Sequence, residues 1–310
     1  MVRDGLRDHA ADRPRGAAGR RARPLGPVPR LGPRPARQTR DGPGGRRQPV
    51  NVPEVNALEV RDVKVRFGGV YALKGVSLAV PSGMCVGLTG PNGSGKSTLV
   101  NAVTGVVDAE GEVRAQGTPL RLSRPGRAAR LGLRRTYQTP RVHPKLTGIE
   151  NVCTGHRLMA GRSAPAAVFR RMRAGAAERD RRRDAAAALD RVGGSAAADV
   201  TGAVMTYGQR RLVELARVLV AEPRVLLLDE PSAGLNDTEV TALRTLIADL
   251  AAEGVGVLLI DHRISLLNEV CDRLVVLEEG LKLHEGEPAD VWRHDRVRAA
   301  YIGELDDAGN

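Results

Sequence analysis

Gly90-Pro91-Asn92-Gly93-Ser94-Gly95-Lys96-Ser97 follows the spacing G-x-x-x-x-G-K-[ST]. The apolar run Met84-Cys85-Val86-Gly87-Leu88-Thr89 stands before it and reads as a buried strand. Behind it, Thr98-Leu99-Val100-Asn101-Ala102-Val103 reads as a helix. Strand, glycine-rich turn and helix in that order is the context in which this spacing cradles the phosphates of a nucleoside triphosphate. Glycines let the backbone curl closely around a phosphate with N–H groups pointing inward, and the helix N-terminus adds positive potential. Lys96 then reaches the β- and γ-phosphates, and the Ser97 hydroxyl is placed to ligate Mg²⁺. The expected nucleotide-binding set is Gly90, Pro91, Asn92, Gly93, Ser94, Gly95, Lys96, Ser97 and Thr98. The plain alternative is a glycine-rich turn before an ordinary helix, and the flanking elements argue against it.

Further along the chain, Val225-Leu226-Leu227-Leu228 and Val255-Gly256-Val257-Leu258-Leu259-Ile260 are short runs without a polar face. Helical periodicity lies around them: Leu212, Leu215, Ala216 and Leu219 fall at i, i+3, i+4, i+7, as do Leu243, Leu246, Ile247 and Leu250. Strands apolar on both faces and separated by helices suit the centre of a parallel sheet covered on both sides, so the fold class is α/β. The ligand crevice of such a sheet lies at the carboxyl ends of its strands. There the runs end in Asp229-Glu230 and Asp261-His262. Asp229 is placed to hold Mg²⁺ through its water shell. Glu230 would face the γ-phosphate, where a carboxylate orients or deprotonates the attacking water. Solvated strand-end charges are the ordinary alternative. His262, 33 residues after Asp229, falls beside the same expected pocket.

The 310 residues carry a net charge of +12, which raises the question of nucleic acid, and its distribution answers most of it. Residues 1–50 hold thirteen arginines, no lysine and four aspartates, leaving +3 for the remaining 260 residues. That segment also holds eight prolines and few large apolar residues, so residues 1–52 read as a disordered Arg/Pro/Gly-rich extension. A basic arm for RNA or anionic lipid is the sharper alternative; a dispensable extension, or a start assigned too far upstream, is the plainer one. Cys85, Cys153 and Cys271 are widely spaced without a C-x-x-C pair, as in reduced small apolar residues of a cytosolic protein. No apolar stretch approaches the roughly 18–20 residues that span a bilayer, and no apolar segment follows the basic N-terminus as in a secretory signal. Membrane contact is therefore expected to go through a partner.

Order is expected from about Leu58. Leu58–Phe67 and Val76–Val80 alternate like strands, Gly111–Gly117 reads as a short strand and turn, Arg124–Arg130 as helical, and Thr147–Val192 as mostly helical with an Arg- and Ala-rich middle.

The motifs together resemble one family, the nucleotide-binding subunits of ABC transporters. The family's signature, usually Leu-Ser-Gly-Gly-Gln, is similar to Met205-Thr206-Tyr207-Gly208-Gln209. Its Q-loop is similar to Arg135-Thr136-Tyr137-Gln138-Thr139-Pro140, and its D-loop to Ser232-Ala233-Gly234-Leu235-Asn236. The resemblance runs from about Leu58 to Gly303, with the motifs in the family's order. The signature tyrosine, Glu230-Pro231-Ser232-Ala233-Gly234-Leu235-Asn236, the C-terminal Ala300-Tyr301-Ile302-Gly303-Glu304 and the long segment Arg162–Val192 look like the group handling branched-chain amino acids and related solutes such as urea. Lipopolysaccharide-exporting ATPases share part of this pattern.

The resemblance implies a P-loop ATPase over residues 57–303, with a mostly parallel core sheet, an antiparallel β subdomain, a helical subdomain at about 140–220 and a C-terminal tail at 304–310. It implies ATP and Mg²⁺, with Lys96, Gln138, Glu230 and His262 catalytic, and Ser97, Gln138 and Asp229 at the metal. Phe67, 29 residues before Lys96, matches the aromatic that stacks on adenine, against the alternative of a core residue ending a strand. Thr206, Gly208 and Gln209 would bind ATP held by an opposing subunit. The partners implied are integral-membrane permease subunits, a second ATPase subunit and an extracytoplasmic solute-binding protein, with no nucleic acid. The location implied is cytoplasmic, peripheral on the inner face of the cell membrane. Four positions depart from the pattern: Thr206 for Ser, Met205 for Leu, Arg263 for an acidic residue, and Asn236 for Asp. The rival reading, a non-transport ABC ATPase acting on ribosomes or DNA, is opposed by a single ATPase unit without long heptads.

Overall fold

In the computed structural model the described residues are 56–120, 122, 125–156 and 170–307, with side chains left out at 125, 170–174, 176 and 302–307. The expectation for residues 1–52 lies outside them, as does that for residues 162–169.

Two sheets share one core. Strands β1 (Asn56–Phe67), β2 (Val70–Pro81), β4 (Glu110–Ala115) and β5 (Thr118–Leu120) form an antiparallel sheet in the order β2-β1-β4-β5. The second sheet has six strands: β3 (Cys85–Thr89), β6 (Leu133–Arg135), β7 (Val225–Asp229), β8 (Gly256–Ile260), β9 (Arg273–Glu278) and β10 (Leu281–Gly286). Its order is β10-β9-β3-β8-β7-β6, parallel throughout except that β10 returns antiparallel to β9.

The lack of a polar face in these strands has a direct cause. Side chains alternate across a pleated strand, and here both faces are covered. Val86, Leu88, Val225, Leu227, Leu258, Ile260, Val275 and Leu277 pack in one cluster with β1, β2 and helix α1 (Lys96–Val103). Their neighbours in sequence, among them Leu226, Leu228, Val257, Leu259, Leu274 and Val276, belong to a second cluster. That cluster gathers helices α3 (Gly148–Cys153), α4 (Arg170–Arg191), α5 (Tyr207–Leu219), α6 (Asp237–Ala252) and α7 (Ile264–Val270). Between β5 and β6 lies α2 (Pro125–Arg130). Helices α3, α4 and α5 pack against one another, through Val152, Ala185, Leu189 and Val213 among others. The last described helices are α8 (Pro288–Val291) and α9 (Asp295–Asp307), the latter extending through residues 304–307 of the expected tail. No helix among the described residues is long and apolar enough to cross a membrane.

Candidate functional site

The phosphate loop stands where its flanking residues foretell, between the end of β3 and the start of α1. Gly90 has φ 142, and a Cβ there would sit 2.0 Å from the Leu277 carbonyl oxygen, so the loop can leave the sheet at this point without a side chain and not otherwise. Asn92, Gly93 and Ser97 are exposed, and nothing lies within 4 Å of a Cβ added at Gly93, which makes that the open side of the loop. Lys96 is buried; its Nζ reaches back to donate to the carbonyls of Gly90 (2.6 Å) and Pro91 (2.9 Å), and to Ser94 Oγ at 3.5 Å. The ammonium is therefore held across the loop, where phosphate oxygens can take the place of those carbonyls.

Asp229 ends β7 and is only 4% exposed. Its Oδ2 lies 3.3 Å from Arg135 Nη2, and its backbone N–H donates to Thr136 Oγ1 at 3.1 Å. Arg135 Nη1 also donates to Asn101 Oδ1 (2.7 Å) and Thr104 Oγ1 (3.2 Å) on and beside α1, which ties the helix behind the phosphate loop to the end of β7. Burial pushes the Asp229 carboxyl above its ordinary range, Arg135 pulls the other way, and adjacent Glu230 adds to the rise.

The structure brings three expected residues into one cluster. Gln138 Nε2 donates to both oxygens of Glu230 at 3.1 Å, and His262 Nε2 lies 3.1 Å from Glu230 Oε1. They come from three separate strand ends, those of β6, β7 and β8. Glu230 adopts φ 47, a left-handed conformation unusual for a non-glycine residue, and its N–H donates to the Ile260 carbonyl at 2.8 Å. Buried Asp261 fixes the following loop by accepting from Ser232 Oγ (2.8 Å), Ser232 N (3.2 Å) and Arg263 N (2.9 Å).

The signature residues gather at the head of α5. Thr206 is the N-cap: its hydroxyl accepts from Gln209 N–H, and Gln209 Oε1 accepts from Thr206 N–H. This reciprocal box satisfies two otherwise orphan donors, and threonine keeps the cap that serine would make. Val204, Thr206 and Tyr207 are exposed, and Gly208 lies against Glu239. Asn236 caps α6 in the same way with Glu239, which explains why Asn can stand for Asp there. Phe67 is 55% exposed at the end of β1, in keeping with a stacking surface and not with a core residue.

Among the described residues no group of three or more His, Cys, Asp and Glu side chains could hold a metal ion. The oxygens on offer, from the Ser97 hydroxyl, Asp229 and the Gln138 amide, fit a hard cation that takes its remaining ligands from phosphates and water. Motif reading missed Arg135 and Asp261. Both lie within quoted segments, but nothing in the sequence distinguishes them from surface charges.

A phosphate cradle at the carboxyl end of an interior strand of a mostly parallel sheet, with the Glu230 cluster at neighbouring strand ends, defines an ATP-binding cassette of the P-loop kind. The ABC transporter family profile matches residues 73–233. The high-affinity branched-chain amino acid transport ATP-binding protein BraF of Pseudomonas aeruginosa is 36% identical over 249 residues, covering 80% of this chain and 98% of its own. LivG of Escherichia coli K12, of the same description, is 35% identical over 254 residues with the same coverage. Among solved structures, the ADP conformation of MJ1267, an ATP-binding cassette of an ABC transporter, superposes with a TM-score of 0.67 at 30% identity, over 80% of this chain and 99% of that one. The chain belongs to the ABC transporter family. It is an ATP-binding subunit whose hydrolysis of ATP powers transport.

Proposed function

We propose that this subunit drives uptake of branched-chain amino acids or a related small solute. It would work at the inner, cytoplasmic face of the membrane as one of two ATPase subunits beneath integral-membrane permeases, with an extracytoplasmic solute-binding protein delivering the substrate. The observation that carries this reading is the near-complete alignment with BraF and LivG, both described as branched-chain amino acid transport proteins.

The geometry supports a division of labour for hydrolysis. Phe67 offers an exposed ring for adenine, and residues 90–98 with Lys96 wrap the phosphates. Ser97, Asp229 and Gln138 would supply oxygens to Mg²⁺, which when bound would contribute neutralising charge beside the phosphates. Glu230 orients the attacking water and accepts its proton, while Gln138 and His262 hold the carboxylate from two sides. The exposed head of α5, with Thr206, Gly208 and Gln209, is a second helix N-terminus suited to phosphate and would serve ATP held by the partner subunit.

Deleting the gene in its host should abolish most high-affinity uptake of radiolabelled leucine, isoleucine and valine. Wild-type protein should restore it and Glu230→Gln should not. Unchanged uptake of all three, with loss of urea uptake instead, would move the substrate to the related solute; unchanged uptake of all four would overturn the proposal.

A further inference from the structure

Arg211, one turn into α5, is completely buried, and its guanidinium is shared out in a regular way. Nη1 donates to the Tyr137 carbonyl at 2.6 Å and to Glu214 Oε2 at 3.2 Å. Nη2 donates to the Gln138 carbonyl at 2.5 Å and to the Tyr207 hydroxyl at 3.0 Å. The Tyr207 hydroxyl in turn donates to the same Gln138 carbonyl at 3.2 Å. The Tyr207 ring packs on the loop after Glu230: a Cβ added at Gly234 would meet it at 2.4 Å. Buried Glu214 balances the charge and accepts from the Arg141 N–H at 3.2 Å, on the far side of the Gln138 segment. One fork thus grips two successive carbonyls, the second of them belonging to the residue whose side chain faces Glu230.

We propose that Arg211 is a positioning residue for hydrolysis: its guanidinium fork, aided by the Tyr207 hydroxyl, fixes Gln138 to the head of α5. The orientation of the Gln138 amide against Glu230 then follows the position of the signature segment. A charge this deeply buried is costly, and a well-packed apolar pair of similar size would serve stability as well or better. What an apolar pair cannot do is hold two adjacent carbonyls in a fixed plane. Lysine cannot either, being a compact point charge in place of a planar fork.

This inference rests on the reading that Gln138 assists Glu230, and the test separates the two. The steady-state ATPase rate of the purified full-length protein is measured for wild type, Arg211→Lys, Gln138→Ala and the double variant. Arg211→Lys is expected to lower kcat about tenfold, the loss of roughly one charged hydrogen bond, with KM for ATP changed less than about twofold. In the Gln138→Ala background the same substitution should lower kcat by less than about twofold, because its effect passes through Gln138. A merely structural arginine would give losses that multiply, and multiplying losses overturn the proposal. An unchanged kcat in Gln138→Ala would instead remove the role of Gln138 and take this inference with it. Should Arg211→Lys fail to fold, Tyr207→Phe, which deletes one hydroxyl from a part-exposed ring, enters the same cycle. It is expected to lower kcat about threefold alone and not at all with Gln138→Ala; a threefold loss in both backgrounds overturns the proposal equally.

Discussion

Replacing Arg135 with methionine is expected to destabilise the protein by an amount that grows with pH. The side chain is 10% exposed and its partner Asp229 6%, so the pair is effectively out of water. Removing one partner of a buried pair costs about 3–5 kcal/mol, because the remaining charge is left uncompensated. The 3.3 Å separation and the slight access of the guanidinium place this pair near about 3 kcal/mol. Methionine retains most of the stem's packing, so little of that figure is cavity.

The pH dependence follows from Asp229. Burial already raises its carboxyl pKa above the ordinary value of 3.8, and Arg135 is the strongest influence opposing the rise. Without Arg135 the rise becomes larger. The folded state then binds this proton more tightly than the unfolded chain does, so the associated stability is full below the unfolded pKa and is lost as pH rises through the folded one. In acid, where Asp229 is protonated, no uncompensated charge is left behind, and the deficit should shrink to what the lost hydrogen bonds to Asn101, Thr104 and Asp229 contribute. Urea unfolding followed by the fluorescence of Trp292, repeated at a series of pH values from acid to about pH 8, measures how the deficit grows. A deficit that does not grow with pH across the series, or one below about 1 kcal/mol at about pH 8, would show that Asp229 is not the charge Arg135 compensates.

Lys96→Ala should reduce the ATPase rate at least tenfold, about what one charged phosphate contact contributes; a smaller loss contradicts its assignment to the phosphates. Glu230→Gln should still bind ATP, by equilibrium titration with a fluorescent analogue, while hydrolysis slows on the order of 10²-fold or more. Near-normal turnover would remove Glu230 from the reaction.

Strands β3, β7 and β8 are legible in the sequence because burial on both faces leaves an uninterrupted apolar run. The Leu274-Val275-Val276-Leu277 run of β9 carries the same mark and could have been read, but no motif draws attention to it. Strand β6 gives almost no signal: two of its three residues are arginines, one of them held by Asp229 and by groups on α1. Candidate site residues can be named in the sequence wherever chemistry demands a residue type at fixed spacing, as at Lys96, Asp229, Glu230 and His262. Phe67 stands between two readings in the sequence, and its exposure speaks against the core one. Arg211 was not legible. In the run Arg210-Arg211 it looks like part of a solvated helix face, and only the packing of α5 against the Gln138 segment shows that one of the two points inward.

The backbone at Glu230 shows what the site costs the fold. A left-handed conformation is disfavoured for a residue with a Cβ by about 1–2 kcal/mol, and glycine is largely exempt. Strand β7 could be followed by a relaxed residue, yet φ 47 there turns the carboxylate toward Gln138 and His262. Comparing Glu230→Gly with Glu230→Ala isolates this cost, since both lack the carboxylate and differ only in the Cβ. The glycine variant gains by relief of strain and loses some of that to the greater freedom of its unfolded chain, a net of about 1 kcal/mol in its favour. In a chain of this size that corresponds to a melting temperature higher by about 2–4 °C, readable by thermal unfolding. Both variants should be inactive in hydrolysis. If the alanine variant proved equally stable or more so, the left-handed turn would carry no strain. The case for a backbone held under tension in order to aim Glu230 would then fail, although the carboxylate's contacts with Gln138 and His262 would stand.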